Sequence, residues 1–515
     1  MVGQRWWTTF GDPALDQQII LALDSSFSLA AARQRLRAAD AVARREASDL
    51  FADVNGIVDV GYTGGPGDDS QSYVLGLDVG YPVDLWGEIE SRVEAQRLRA
   101  AALREDYRAV ALTLSAEIAN NWFSLIEARA QLRLLDEQIK TNETGLELQE
   151  ARFGLGLIRS ADVLRQRQLV ESTLEQATVV KSRIEVLQHQ IAVLVGEMPQ
   201  VAEYETGQDL PNLPPLPATG LPSELLQRRP DVRRDFLAFQ AADRDLASAI
   251  ADQYPRLNLT GSLLNAAERP ETIFRDWFVS IGAGLVAPLI DGGQRKAEVA
   301  RTSAVTCELF NRYGQSMLVA FQQVEDGLAR ERYQRERLGH LETQLKLADE
   351  SAERLREQYL LEPDTDYLAV LTAITAKQRL QREVLAAQLE LRLIRVSLYL
   401  ALAGGFEPTP QPSGEFNVFE DAVIDDTVVS QPPDSLQGPE LGQEPEALRE
   451  LDGSAERTSQ VGRGPGTVDP GGDSDDNQTE RDGLLNQLDI SEEATAKRLD
   501  DLLRSINADD ENLDR

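Results

Sequence analysis

Four short stretches of this chain alternate apolar and polar residues with a period of two, and four long ones repeat apolar residues every three and four positions. Val54, Gly56, Val58, Val60 and Tyr62 alternate with Asn55, Ile57, Asp59 and Gly61. After the turn signal Gly64-Gly65-Pro66-Gly67-Asp68 the pattern returns as Tyr73, Leu75, Leu77, Val79 and Tyr81 against Val74, Gly76, Asp78 and Gly80. Period two marks a strand with one apolar side, so residues 54–81 are read as a β-hairpin. Leu257, Leu259, Gly261 and Leu263, then Trp277, Val279, Ile281, Ala283 and Leu285, repeat the alternation and predict strands over 257–264 and 277–286.

From Glu88 to Phe153 there is no proline, and Leu125, Leu132, Ile139 and Leu146 recur every seventh position with Ala128 and Leu135 between them. A returning run carries Ala177, Val180, Ile184, Leu187, Ile191 and Leu194. Leu338, Leu341, Leu345, Ala348, Ala352 and Leu355, and then Leu380, Val384, Ala387, Leu391, Ile394, Leu398 and Ala401, make a second such pair. These 3.5-residue seams predict two long helical hairpins, 88–197 and 294–403, with left-handed coiled-coil packing.

The chain is written twice. Tyr81-Pro82-Val83-Asp84-Leu85-Trp86-Gly87 aligns with Ala287-Pro288-Leu289-Ile290-Asp291-Gly292-Gly293, and the turn aromatics Phe153 and Tyr359 keep the same offset of 206 positions. Such a period is far too long for a solenoid. We therefore divide the chain into half-repeats 1–205 and 223–406, joined by a Pro-rich link, 206–222, and followed by a tail, 407–515.

Each strand run has about the 9 to 11 residues that a tilted strand needs to cross a bilayer. One face, with Tyr73, Leu75, Leu77 and Val79 in the first half and Trp277, Val279, Ile281 and Leu285 in the second, is apolar and ends in aromatics; the other is mostly small and polar. That is the lipid and lumen alternation of a membrane barrel. Four strands cannot close, and open edges are forbidden in lipid, so several copies must share one barrel. A soluble sandwich or coiled-coil scaffold is the competing reading, but it has no need of four bilayer-length strands.

Composition narrows the function classes. The 515 residues carry 86 acidic and 52 basic groups, a formal charge of −34, and −20 of it falls after residue 406. No basic face is visible, which argues against a nucleic-acid partner. Cys307 is the only cysteine, and His189 and His340 stand in charged helical runs without a partner motif, so we expect no enzyme chemistry, cofactor or metal site. The tail has no aromatic residue beyond Phe419 and is expected to be disordered. Its stripe Leu499, Leu502, Leu503 and Ile506, after Ser491, is expected to be a transient solvated helix. The start, Met1-Val2-Gly3-Gln4-Arg5-Trp6-Trp7, has no charged region followed by an apolar core, and no uncharged apolar run long enough for a membrane helix occurs.

Two turns join the paired helices. In Phe153-Gly154-Leu155-Gly156-Leu157-Ile158-Arg159-Ser160-Ala161-Asp162, glycine ends one helix, Ser160 is placed to cap the next, and Asp162 suits its first turn. In Tyr359-Leu360-Leu361-Glu362-Pro363-Asp364-Thr365-Asp366, Pro363 breaks the helix and Asp364 or Thr365 is expected to cap the next.

The order of these parts, with Trp6-Trp7-Thr8-Thr9-Phe10-Gly11-Asp12-Pro13 at the start and Leu225-Leu226-Gln227-Arg228-Arg229-Pro230-Asp231-Val232 opening the second copy, resembles the TolC-like outer membrane efflux proteins over residues 5 to 405. It resembles in particular the branch serving resistance-nodulation-division pumps. The resemblance implies a mostly α-helical fold with a membrane β-barrel: a homotrimer with twelve strands in one outer-membrane barrel and a twelve-helix periplasmic tunnel. It implies a channel subunit for efflux of small molecules, working with a periplasmic adaptor and an inner-membrane pump. A type I secretion outlet would share the fold. The family's adaptor-docking turns fall on Gly156, Leu157 and Ser160, and on Leu361 to Thr365, Asp364 included. Its periplasmic constriction falls on Leu368 and Thr372. Relatives commonly carry an Asp where Thr372 stands, so the acidic ring is missing. Relatives also have an export signal, and many a lipid-modified cysteine upstream of the Trp-Trp motif; neither is in this sequence, whose start we read as misassigned or trimmed.

Overall fold

The structure, a computed structural model, describes residues 5–65, 68–201, 203–217, 227–361 and 366–402. The expectations for the tail therefore lie outside the described residues, as do Asp364 and Thr365. Two helices, α1 (Pro13–Ser25) and α2 (Phe27–Ala47), precede the hairpin of β1 (Asp53–Gly65) and β2 (Asp68–Val83). Next come α3 (Glu88–Gly154) and α4 (Ser160–Val195), and α5 (Pro230–Ala251) opens the second half. It is followed by β3 (Arg256–Ala267), β4 (Trp277–Val286), α6 (Gln294–Leu361) and α7 (Tyr367–Ala401).

At 67 and 68 residues, α3 and α6 extend about 100 Å each at 1.5 Å per residue. Side by side the four long helices run in the order α4, α3, α7, α6, and α5 packs across α3 and α6. The seams read from the sequence are the packed faces. Leu125, Ala128, Leu135, Ala177, Leu187 and Ile191 are buried in one core, and Leu341, Leu380, Val384 and Ala387 in another.

The largest core lies halfway along α3, where the N-terminal segment folds back on the helices. Trp6 stacks on Tyr399 with ring centroids 5.5 Å apart, Phe10 meets Phe123 at 4.9 Å, and Trp6, Trp7, Trp122 and Phe123 are all buried. Asp12 does two jobs there. Its Oδ1 accepts from the amides of Ala14 and Leu15 at 3.0 and 3.2 Å, capping α1, while Oδ2 accepts from the Trp122 indole at 2.8 Å.

The four strands form one antiparallel sheet in the order β1-β2-β3-β4, so the two halves join through β2 and β3. The strands extend past the alternating runs, β2 to 16 residues, because its ladder with β1 begins at Asp68 opposite Gly65 and its ladder with β3 continues into Pro82 and Val83 opposite Asn258 and Leu257. Register decides the faces. Gly56 lies opposite Leu77, Leu77 opposite Leu263, and Leu263 opposite Val279; one row along, Val54, Val79, Gly261 and Ile281 are aligned. All four apolar sets therefore share one side of the sheet. Among the described residues β1 and β4 each have one unpaired edge.

Candidate channel wall and helix tips

The sheet gives the barrel residues their geometry. On the apolar side Leu77, Trp277, Val279, Ile281 and Leu285 are exposed, Ile281 to 88%, while Tyr73, Leu75 and Val79 are half-covered by their sheet neighbours. The opposite side presents Asn55, Asp59, Asp78, Asn258, Thr260, Ser262 and Ser280. It is not uniformly polar, for Ile57, Gly76, Leu264 and Phe278 align in a single row across all four strands. Gly76 is required in that row: a Cβ there would come within 2.6 Å of Leu264 Cδ2 and 2.3 Å of the Leu263 carbonyl. Among the described residues no helix is long and apolar enough to cross a membrane.

At the far end of the helices lie the two tips. The first ends α3 in a Schellman turn: Gly156 has φ +73°, its amide donates to the Phe153 carbonyl at 2.8 Å, and the Leu157 amide reaches Arg152 at 3.0 Å. Phe153, Leu155 and Leu157 are exposed there. Ser160 does not cap α4, contrary to expectation. The capping position falls on Arg159 and makes no side-chain hydrogen bond, because extended backbone at Arg159 already starts the helix at Ser160. Asp162 in the first turn pairs with Arg165 at 3.3 Å.

The second tip ends α6 at Leu361, which is 82% exposed, and starts α7 at Tyr367. Here too the expected cap is displaced. Asp366 is the capping residue of α7, its Oδ1 accepting from the Leu368 amide at 3.0 Å. Leu368 and Thr372 occupy one exposed face of α7, one turn apart, and the Thr372 hydroxyl donates back to the Leu368 carbonyl at 2.7 Å. The opposite face of that turn is buried, with Tyr367 and Val370 packed on Tyr359.

The two hairpins are held together near the tips by amide and phenol groups that the apolar pattern did not single out, joined by Arg382, which donates to Gln138 Oε1 at 2.7 Å. The Tyr367 hydroxyl donates to Gln166 Oε1 at 2.5 Å, and Tyr359 donates to Gln149 Oε1 at 3.1 Å. Gln166 passes the bond on to the Asn142 carbonyl at 2.6 Å, Gln378 donates to Asn142 Oδ1 at 2.9 Å, and Gln138 donates to Gln381 Oε1 at 2.9 Å. The Arg152 guanidinium lies 4.4 Å over the Tyr359 ring. Burial, reinforced by neighbouring Tyr359, pushes the Tyr367 phenol up to about 12, so it stays a donor at neutral pH. A signal for this zone was present in the sequence. On α3, beside the Ile139 and Leu146 stripe, Gln138, Asn142, Gly145 and Gln149 follow Leu135 at steps of three and four, the spacing of a packed face continued in polar residues. Gly145 leaves room for Gln166, whose Nε2 would lie 2.9 Å from an added Cβ.

The sites considered for chemistry stay apart. His340 is solvent-exposed and lies 3.9 Å from Glu336, His189 is exposed on α4, and Cys307 is on α6. Among the described residues no group of three His, Cys, Asp or Glu side chains is arranged to hold a metal ion.

Known proteins share this arrangement. The sequence profile of the outer membrane efflux proteins matches residues 19–197 and 221–404. The chain is 31% identical to the pyoverdine export outer membrane protein OpmQ of Pseudomonas aeruginosa, covering 79% of this chain and 89% of that one. It is 27% identical to the toluene efflux pump outer membrane protein TtgC of Pseudomonas putida, covering 81% and 88%. Among solved structures, the outer-membrane channel OprN superposes with a TM-score of 0.75 at 28% identity, covering 79% of this chain and 93% of that chain. The chain belongs to the outer membrane efflux protein family.

Proposed function

We propose that this chain is the outer-membrane channel subunit of a tripartite efflux system. Three copies close a twelve-strand barrel, and their twelve long helices continue it as a tunnel through the periplasm. Small molecules enter that tunnel from an inner-membrane pump and a periplasmic adaptor and leave through the barrel. The observation that carries this reading is the register that gathers the apolar residues of all four strands on one exposed side, with β1 and β4 unpaired at the edges. In hydrocarbon each open edge costs several kcal/mol per unpaired group, so the arc is stable only when other copies complete it. Work is done by conduction, with no catalytic step.

The exposed tips are the docking points in this reading. Gly156, Leu157 and Ser160 on one side and Leu361 to Thr365, with Asp364, on the other receive the adaptor, and the ring of Leu368 and Thr372 is the constriction. Thr372 supplies no charge, so the ring closes sterically and by apolar contact. Opening parts the hairpins at their side-chain bonds, beginning with Tyr367 and Gln166. The relatives named for pyoverdine export and toluene efflux support a small-molecule cargo over a secreted polypeptide.

Planar-bilayer recording tests the constriction. The unaltered trimer is expected to conduct poorly and Leu368→Ser to conduct several-fold better, because three smaller polar side chains widen and wet the ring. Unchanged conductance would remove Leu368 from this role. Outer-membrane fractionation tests the broader reading, which a soluble monomer would end.

A further inference from the structure

At one level along the helices the link between hairpins changes from direct side-chain bonds to a strap of chain. Below it, the hairpins meet through the amide and phenol bonds of Gln138, Asn142, Gln166, Tyr359 and Tyr367, with Arg382 donating to Gln138 Oε1 at 2.7 Å. At it, each hairpin carries an ion pair of its own: Arg183 on α4 pairs with buried Glu127 on α3 at 3.0 Å, and buried Arg395 on α7 donates to buried Glu331 on α6 through Nε at 2.9 Å. Arg335 also donates to Glu331, at 2.6 Å.

The segment after α4 crosses the helices at this same level. Residues 203–217 run over α3 and α7, held by arginines from both. Arg129 donates to Thr206 Oγ1 at 2.7 Å and Arg133 to the Gln208 carbonyl; Arg392 donates to the Pro211 carbonyl at 2.9 Å, and Arg395 to the Pro215 carbonyl at 2.7 Å. Arg395 also donates to the Pro214 carbonyl at 2.5 Å. Pro211, Pro214 and Pro215 have no N–H to donate, and their carbonyls accept from guanidinium groups. Arg395 is fully buried. It is bonded at once to α6 and to the strap.

We propose that Arg395, with Glu331 and the strap 203–217, is a positioning element for channel opening: it clasps α3, α7 and α6 at mid-height and fixes the level above which the hairpins do not part. This rests on the reading that the tips splay. The physical ground is the contrast between the two zones. A parted side-chain pair near the tips is taken up by water with little net loss, whereas parting the hairpins at the strap must tear it from one side, breaking the charge-assisted bonds of Arg392 and buried Arg395 or those of Arg129 and Arg133 together. Separation that starts at the tips therefore runs up through the directly bonded zone and stops at the strap.

Hydrogen–deuterium exchange of the intact trimer, followed peptide by peptide along α3 and α7, tests the clasp without any current being recorded. In the unaltered protein, faster exchange should occupy residues 138–154 and 367–385 and end at the belt. Arg133→Gln/Arg392→Gln removes two strap contacts at partly exposed positions and leaves the buried Arg395–Glu331 pair in place. There the boundary should move up α3 into residues 115–126, with exchange rising by about tenfold as that stretch joins the opening unit. Arg392→Lys, which keeps a donor, should largely restore it. A boundary in the same place in the double variant, or no boundary at the belt in the unaltered trimer, overturns the proposal. A trimer that conducts nothing would count against the channel reading and leave the exchange result standing on its own.

Discussion

Tyr367 shows how one residue carries both a structural and a functional load. It starts α7, packs its ring 5.3 Å from that of Tyr359, and donates its hydroxyl to Gln166 on α4, across the line between hairpins. Tyr367→Phe keeps the ring and deletes the bond. It should weaken closure by about 1 kcal/mol, the usual net worth of one hydrogen bond, and raise the open fraction in single-channel records. Its pH dependence follows from the raised phenol. The folded tip favours the neutral form, so this contribution is complete below the ordinary value of 10.0 and is lost as pH rises toward about 12. Between about pH 5 and 8 no group of the Tyr367–Gln166–Asn142 chain titrates, and the open probability of this latch should stay flat there. Residues of this kind were poorly legible in advance. A Gln or Tyr on a seam reads as solvated until a partner from a distant helix is found, and Gln166 and Tyr367 are 201 positions apart. Leu368 and Thr372 were named by resemblance alone, and the structure adds only that they share an exposed face of α7.

At the scale of the element, helices were easier to place than their ends. The apolar seams of α3, α4, α6 and α7 follow from periodicity because burial needs a continuous stripe, whatever the partner. Capping depends on one or two backbone angles, and a run such as Asp364-Thr365-Asp366 offers several competent residues. The chain uses Asp366, and at the other tip it uses none, since Ser160 already lies inside the helix. Asp366→Ala should therefore cost about 1 kcal/mol of helix stability and lower the thermal midpoint, whereas Ser160→Ala should leave it nearly unchanged. Equal effects of the two substitutions, read by circular dichroism on the trimer, would contradict the assignment.

For the whole molecule the deciding feature is the one-sided sheet. Ile281 and Ser280 are neighbours in β4 that point to opposite sides. Ile281→Arg places a charge against lipid and should cost roughly 2–4 kcal/mol near the bilayer midplane, reducing the yield of outer-membrane trimers, while Ser280→Arg faces the lumen and should be tolerated. Comparable yields from both would refute the assignment of faces. By itself the sequence determined the duplication, the strand alternation and the heptad seams, because each is a local repeat imposed by a strand or helix that must bury one side. Tertiary structure decided what no local pattern encodes. It set the register that joins β2 to β3 and aligns four apolar faces, the path of the proline strap, and the meeting of Gln166 with Tyr367 and of Arg395 with Glu331. Those are pairings between segments far apart in the chain, and their partners are chosen by the packing of whole helices and strands, which the spacing of residues within any one of them leaves open.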